Sequence, residues 1–157
     1  MNNWETTLIH LVHLALAYGL ALPIGWEREK DAQSAGLQTF PLVAVAACGY
    51  MLIGNSLFSG EEPQSRILFG IITGMGFIGG GAILKGEKTV TGTATAASLW
   101  NTGAIGTAVA WQRYDMAILL STLNFLTLRY FSAVKKKVGG PQNKHKGPDR
   151  PDRNIIG

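Results

Sequence analysis

GIITGMGFIGGGAILKGEKTVTGTATAASLWNTGAIG, residues 70–106, holds ten of the chain's twenty glycines in less than a quarter of its 157 residues. The rest of the stretch is mostly Ala, Thr, Ile and Leu. In water such a composition is costly, because each glycine inside a helix is worse than alanine by about 1 kcal/mol. In lipid it is economical. Membrane helices associate by close backbone approach, which small residues permit, and by hydroxyl hydrogen bonds across the interface. The stretch therefore places the chain in a membrane and predicts two closely packed spans joined by the polar turn KGEK (85–88).

Working outward, five apolar segments come near the roughly 20 residues that cross a bilayer. They are residues 8–26, 37–58, 67–84, 94–111 and 116–131. Pro41 opens the second, where a missing N–H does little harm. The expected fold is all-α: a polytopic bundle of about five transmembrane helices over residues 1–131. Residues 132–157, rich in Gly, Pro and charge, form a basic cytoplasmic tail too poor in apolar surface to offset its ordering entropy.

Basic residues set the orientation. Arg28, Lys30, Lys85, Lys88, Arg129, Lys135, Lys136, Lys137, Lys144, Lys146, Arg150 and Arg153 fall on one side of a five-span bundle, and only Arg66 and Arg113 on the other. The N-terminus is then outside, the C-terminus in the cytoplasm, and the bilayer the first partner. MNNWETT lacks a basic region, so the first segment reads as a retained anchor rather than a cleaved signal. The net charge of +4 lies in connectors and tail, which argues against nucleic acid. Cys48 is the single cysteine, so neither a disulfide framework nor a cysteine metal motif is expected.

Several clusters could carry chemistry. GWEREKD ends the first span; Glu27, Glu29 and Asp31 put three carboxylates within five residues, and Glu27 and Asp31 share a face if the helix continues. That pattern suits a hard divalent cation, with Glu27 and Asp31 as candidate ligands. It equally suits an interfacial helix end anchored by Trp26 with locally neutralised charges. In the fourth span Thr91, Thr95, Ser98 and Thr102 recur at helical spacing, with Asn101 beside them. Such a polar face either lines an ion route or makes interhelical hydrogen bonds. Gly70 and Gly74, then Gly76 and Gly80, form GxxxG pairs, and Gly79, Gly80 and Gly81 run together; helix packing is the default reading, and a broken binding helix the other. His10 and His13 read as buried neutral histidines, and Asn124 as a link between helices. No Ser–His–Asp set, HExxH, phosphate loop or zinc spacing is present, so neither enzyme nor cofactor is expected.

With these segments in hand, the chain resembles the MgtC/SapB family of bacterial inner-membrane proteins. The matching stretches are GWERE (25–29), AGLQTFPLV (35–43), GMGFIGGGAIL (74–84) and VTGTATAASLWNTGAIG (90–106). The resemblance implies five spans, a link to growth under magnesium limitation, and in pathogens to virulence inside phagocytes. It also implies a non-enzymatic regulator acting on partner membrane proteins such as ATP synthase or a sensor kinase. The alternative is a transporter or channel for a cation or small solute. A homodimer or higher oligomer is expected because five short spans with glycine-rich faces leave packing surfaces unmet. Longer members carry a soluble C-terminal domain where this chain has a short basic tail. The family's usual basic residues are replaced by Gln38 and Thr91, and an Asn of its best-known member by Ala94. Glu27, Arg28 and Glu29 match, so a role transfers best to them.

Overall fold

The computed structural model describes residues 3–30, 35–86 and 89–138, and folds them into five helices and one two-stranded ladder. The helices are α1 (Asn3–Glu29), α2 (Thr39–Leu57), α3 (Glu61–Gly81), α4 (Thr93–Ala110) and α5 (Tyr114–Val138). Two of them, over Trp4–Glu29 and Thr39–Leu57, are long and apolar enough to cross a bilayer. The others carry more polar groups for identifiable reasons. α3 opens with Glu61, Glu62 and Arg66, α4 is rich in Thr, and α5 ends in lysines.

Many small residues lie inside the bundle beside Phe40, Ile24, Met51, Leu99 and Ile105, and many large apolar side chains lie outside. The core contains Ala17, Ala21, Ala44, Ala47, Ala96, Ala108 and Ala117, whereas Phe77 is 86% and Phe69 71% exposed. A soluble monomer rarely displays so much contiguous apolar surface. A bilayer covers it, and small core residues let the helix backbones approach.

α4 is the axis of the fold. Compositionally the weakest of the five apolar segments, it packs against all four other helices and most closely against α2. The reason lies in its small side chains. Gly106 sits so close to α2 that a Cβ there would meet the carbonyl oxygen of Ala44, and a Cβ on Gly103 would lie 2.9 Å from Met75 Cγ of α3, closer than the side chain could tolerate without moving. Gly79 of α3 approaches Ala96 of α4 in the same way. These three provide the close packing expected of the glycine-rich stretch. Among the described residues a Cβ on Gly70, Gly74, Gly76, Gly80 or Gly81 would meet nothing within 4 Å, so neither GxxxG pair of α3 makes a close helix contact there.

α3 is one continuous helix as far as Gly81, and the glycine triplet ends it rather than breaking it midway. The KGEK turn is more structured than a plain connector. Leu84–Lys85 (β1) pairs antiparallel with Val90–Thr91 (β2), Leu84 opposite Thr91 and Lys85 opposite Val90. Gly92 then starts α4 with φ of +84°, a left-handed conformation open to glycine, while its carbonyl accepts the Ala96 N–H at 2.9 Å. Thr91 is thus in the ladder and exposed, off the polar face of α4 to which its spacing assigned it.

At the other end, α5 continues through Val138, past the expected boundary at residue 131. SAVKKKV contains no helix breaker, and lysines in a last turn complement the helix dipole. The sequence then reads Gly139-Gly140-Pro141. Within α1, Pro23 is accommodated without ending the helix.

Candidate functional site

The three charged residues that end α1 reach three different elements. Arg28 is buried, 6% exposed, and its Nη2 donates to Thr95 Oγ1 of α4 at 2.6 Å. Glu29 Oε2 accepts the N–H of Leu37, in the turn before α2, at 3.0 Å. Glu27 Oε2 pairs with Lys30 at 3.0 Å and with Arg129 of α5 at 3.9 Å. The single helix end GWERE therefore ties together α4, the α2 approach and α5.

Two glycines make this closure possible. A Cβ on Gly36 would fall on the Glu29 carboxylate, and one on Gly25 would lie 3.1 Å from the Gly36 carbonyl oxygen. The turn at 36–37 is thus pressed directly against the last turn of α1. Arg28 complements the C-terminal dipole of α1, and the Thr95 hydroxyl satisfies part of a charge that burial would otherwise make expensive.

Thr95 begins a buried polar face that continues down α4 through Ser98 and Thr102, which are 5% and 0% exposed. Its groups are turned toward protein. The Ser98 carbonyl accepts Thr102 Oγ1 at 2.8 Å and Asn124 Nδ2 of α5 at 3.3 Å. Half-buried Asn101 donates to the Leu120 carbonyl of α5 at 3.2 Å, and Ser121 Oγ donates to the Leu20 carbonyl of α1 at 2.6 Å. Asn124 is thus a link between α5 and α4. Toward the opposite end, buried His13 lies 2.7 Å through Nδ1 from the Ile9 carbonyl and 3.1 Å through Nε2 from the Tyr114 hydroxyl. His10 is half-buried.

The carboxylates at the end of α1 do not converge on one point. Glu27 faces two cations and Glu29 a backbone N–H. The helix ends at Glu29, before Asp31, which lies outside the described residues, as does the KGEK pair 87–88. Among the described residues no three His, Cys, Asp or Glu side chains gather where a metal could be held.

Sequence reasoning missed Gly36, Leu37, Ser121 and Tyr114 as members of these networks, and counted Arg129 only for orientation. The pairs are distant in the chain, 67 positions apart for Arg28 and Thr95. Only the AGL following GWERE hints at the first of them.

Comparison with known proteins decides the family. The model of the MgtC family matches residues 14–137. The chain belongs to the MgtC family. Among curated relatives it is 34% identical over 132 residues to the "Putative magnesium transporter YhiD" of Escherichia coli K12, covering 79% of this chain and 60% of YhiD. It is 29% identical over 136 residues to Protein SrpB of Synechococcus elongatus, covering 78% of this chain and 75% of SrpB. It is 42% identical over 103 residues to Protein MgtC of Brucella abortus, covering 66% of this chain and 43% of that protein. The chain thus spans less than two thirds of YhiD and of MgtC. No solved structure matches the chain significantly. Membership makes this a membrane protein of a magnesium-linked family, and it accounts for a bundle with many large apolar side chains pointing outward.

Proposed function

We propose that the chain is a five-span inner-membrane protein, N-terminus outside and C-terminus in the cytoplasm, that acts on other membrane proteins during adaptation to low magnesium. It works as a scaffold, without catalysis or cofactor. One observation carries this reading: four polar side chains at the helix contacts bond from one helix to another, while Thr102 and Thr107 bond back to their own helix. Arg28 with Thr95, Asn124 with Ser98, Asn101 with Leu120 and Ser121 with Leu20 all join different helices. Such bonds specify a rigid arrangement. Against this frame the open flank of α3, with Gly70, Gly74 and Phe77, is the face on which a partner such as ATP synthase, a sensor kinase or a second copy would pack.

Transport of a cation or small solute is the second reading, favoured by the buried polar face of α4 and by the printed name of the Escherichia coli relative. A cation moving along that face would meet the buried guanidinium of Arg28 at its end.

Reconstitution of the purified chain into liposomes, with flux assays for Mg2+, Ca2+, Na+, K+ and H+, separates the two. The scaffold reading expects no flux, and a membrane protein recovered with the chain on mild solubilisation. Cation uptake that falls in Glu27→Gln with Glu29→Gln, at normal insertion, would establish transport instead. Tag accessibility checks the orientation: both termini on one side would exclude five spans.

A further inference from the structure

We propose that the outer corner between the end of α1 and the second half of α5 binds the phosphate of an anionic bilayer lipid, gripped by Lys30 and Arg129. Both side chains meet the same atom, Glu27 Oε2, at 3.0 Å and 3.9 Å. Their nitrogens are therefore no more than about 7 Å apart. The oxygens of one phosphate span that distance with charge-assisted hydrogen bonds of about 2.8 Å. The cations are turned outward: Lys30 is 48% and Arg129 62% exposed, while the carboxylate they share is only 12% exposed.

Among the described residues, two cations meet one carboxylate at this corner, an excess of one positive charge at the surface. The exposed arginines elsewhere are neutralised one to one, Arg66 by Glu62 at 2.7 Å and Arg113 by Asp115 at 3.3 Å. A lipid carrying a single net negative charge complements the excess, and a zwitterionic one does not.

The surroundings favour a lipid over a soluble anion. α1 is one of the helices able to cross a bilayer, so its end lies at headgroup depth. Trp26, 58% exposed, lies beneath Lys30, whose Nζ is 6.0 Å from the ring, and Tyr130, also exposed, follows Arg129. Tryptophan and tyrosine are the residues enriched at that depth. One and two turns before Arg129, Leu126 and Leu123 are exposed and offer an apolar track for the acyl chains. The site rests on α1 crossing the membrane and on neither reading of function.

The test is native mass spectrometry of the full chain released from mixed micelles with equimolar phosphatidylglycerol and phosphatidylcholine. The wild type should retain phosphatidylglycerol with a preference of about tenfold, given two charge-assisted contacts. Lys30→Gln with Arg129→Gln should bring the preference to parity, and Lys30→Arg with Arg129→Lys should keep it. Glu27→Gln should raise it, because the cations lose their internal competitor, whereas a merely structural role for Glu27 would lower it. That opposite-signed variant reads the site even if the double glutamine variant fails to fold. Arg66→Gln and Arg113→Gln should leave the preference unchanged. Parity in the wild type, an undiminished preference in the folded double variant, or an equal loss in the Arg66 and Arg113 variants would overturn the proposal. Displacement of the lipid by millimolar inorganic phosphate would overturn it too, assigning the corner to a soluble anion.

Discussion

Gly106→Ala and Gly76→Ala are the same chemical change on neighbouring helices, and the structure gives them opposite signs. A methyl on Gly106 would fall on the carbonyl oxygen of Ala44, with the carbonyl carbon at 3.0 Å and Ala47 Cβ at 3.1 Å. These obstacles are backbone and Cβ atoms of α2, with no rotamer through which to yield. α2 and α4 must move apart by on the order of 1 Å, and a gap of that size forfeits a quarter to a half of each dispersion contact across it. Overpacking of this kind costs about 1–3 kcal/mol. Alanine's better helix propensity returns about 0.5–1 kcal/mol. The net is a loss of up to about 2.5 kcal/mol, centred on about 1 kcal/mol, at the contact joining the two most closely packed helices. Around Gly76 nothing lies within 4 Å of a new Cβ. Only the intrinsic term remains there, a gain of up to about 1 kcal/mol. Equilibrium unfolding of the full chain in mild detergent, titrated with SDS and followed by far-UV circular dichroism, reads both. A Gly106→Ala protein as stable as wild type, or a Gly76→Ala protein as damaged as it, would refute the assignment of α2–α4 as the tight contact.

Thr95→Val removes the hydroxyl that Arg28 donates to while keeping its volume, and should lower stability by about 1–3 kcal/mol; the same unfolding titration measures it. Gly36→Ala drives the Glu29 carboxylate off the Leu37 N–H and should cost about 1 kcal/mol. In a Glu29→Ala background most of that cost should vanish, so a double-mutant cycle with zero coupling would refute the contact. Asp115 has its carboxyl held below the ordinary carboxylate range, first by the hydrogen bond from Arg113 and then by the Met116 backbone N–H. A depressed folded value means the pair stabilises the fold above the unfolded pKa and ceases to do so as pH falls through the folded value. Asp115→Asn should therefore show a flatter stability profile than wild type below about pH 4, and superimposable acid limbs would exclude the pair as a contributor.

Much of the architecture was legible because lipid imposes simple rules. Runs of apolar residues near bilayer length marked the five helices, and small residues marked the packing stretch. GWERE and the Thr95–Ser98–Thr102 face were visible as local patterns, since helical spacing alone puts those side chains on one face. Their partners were not visible. Arg28 finds Thr95 and Glu27 finds Arg129 only because α1, α4 and α5 are brought side by side, and no local pattern encodes a pairing across dozens of residues. The glycines make the same point. Equivalent in sequence, Gly79, Gly103 and Gly106 lie under another helix, while Gly70, Gly74 and Gly76 face outward. GxxxG spacing specifies a flat strip on a helix but not which neighbour covers it.

By itself, then, the sequence determined a membrane bundle with a close-packed glycine-rich segment, because composition and length respond to the solvent. The tertiary structure alone decided that α4 is the axis, that Thr95 and the Ser98 carbonyl on its polar face bond to other helices, and that α1 ends in a three-way clasp. Each of those depends on which surfaces meet, and helical spacing places a residue on a face without saying which helix lies against it.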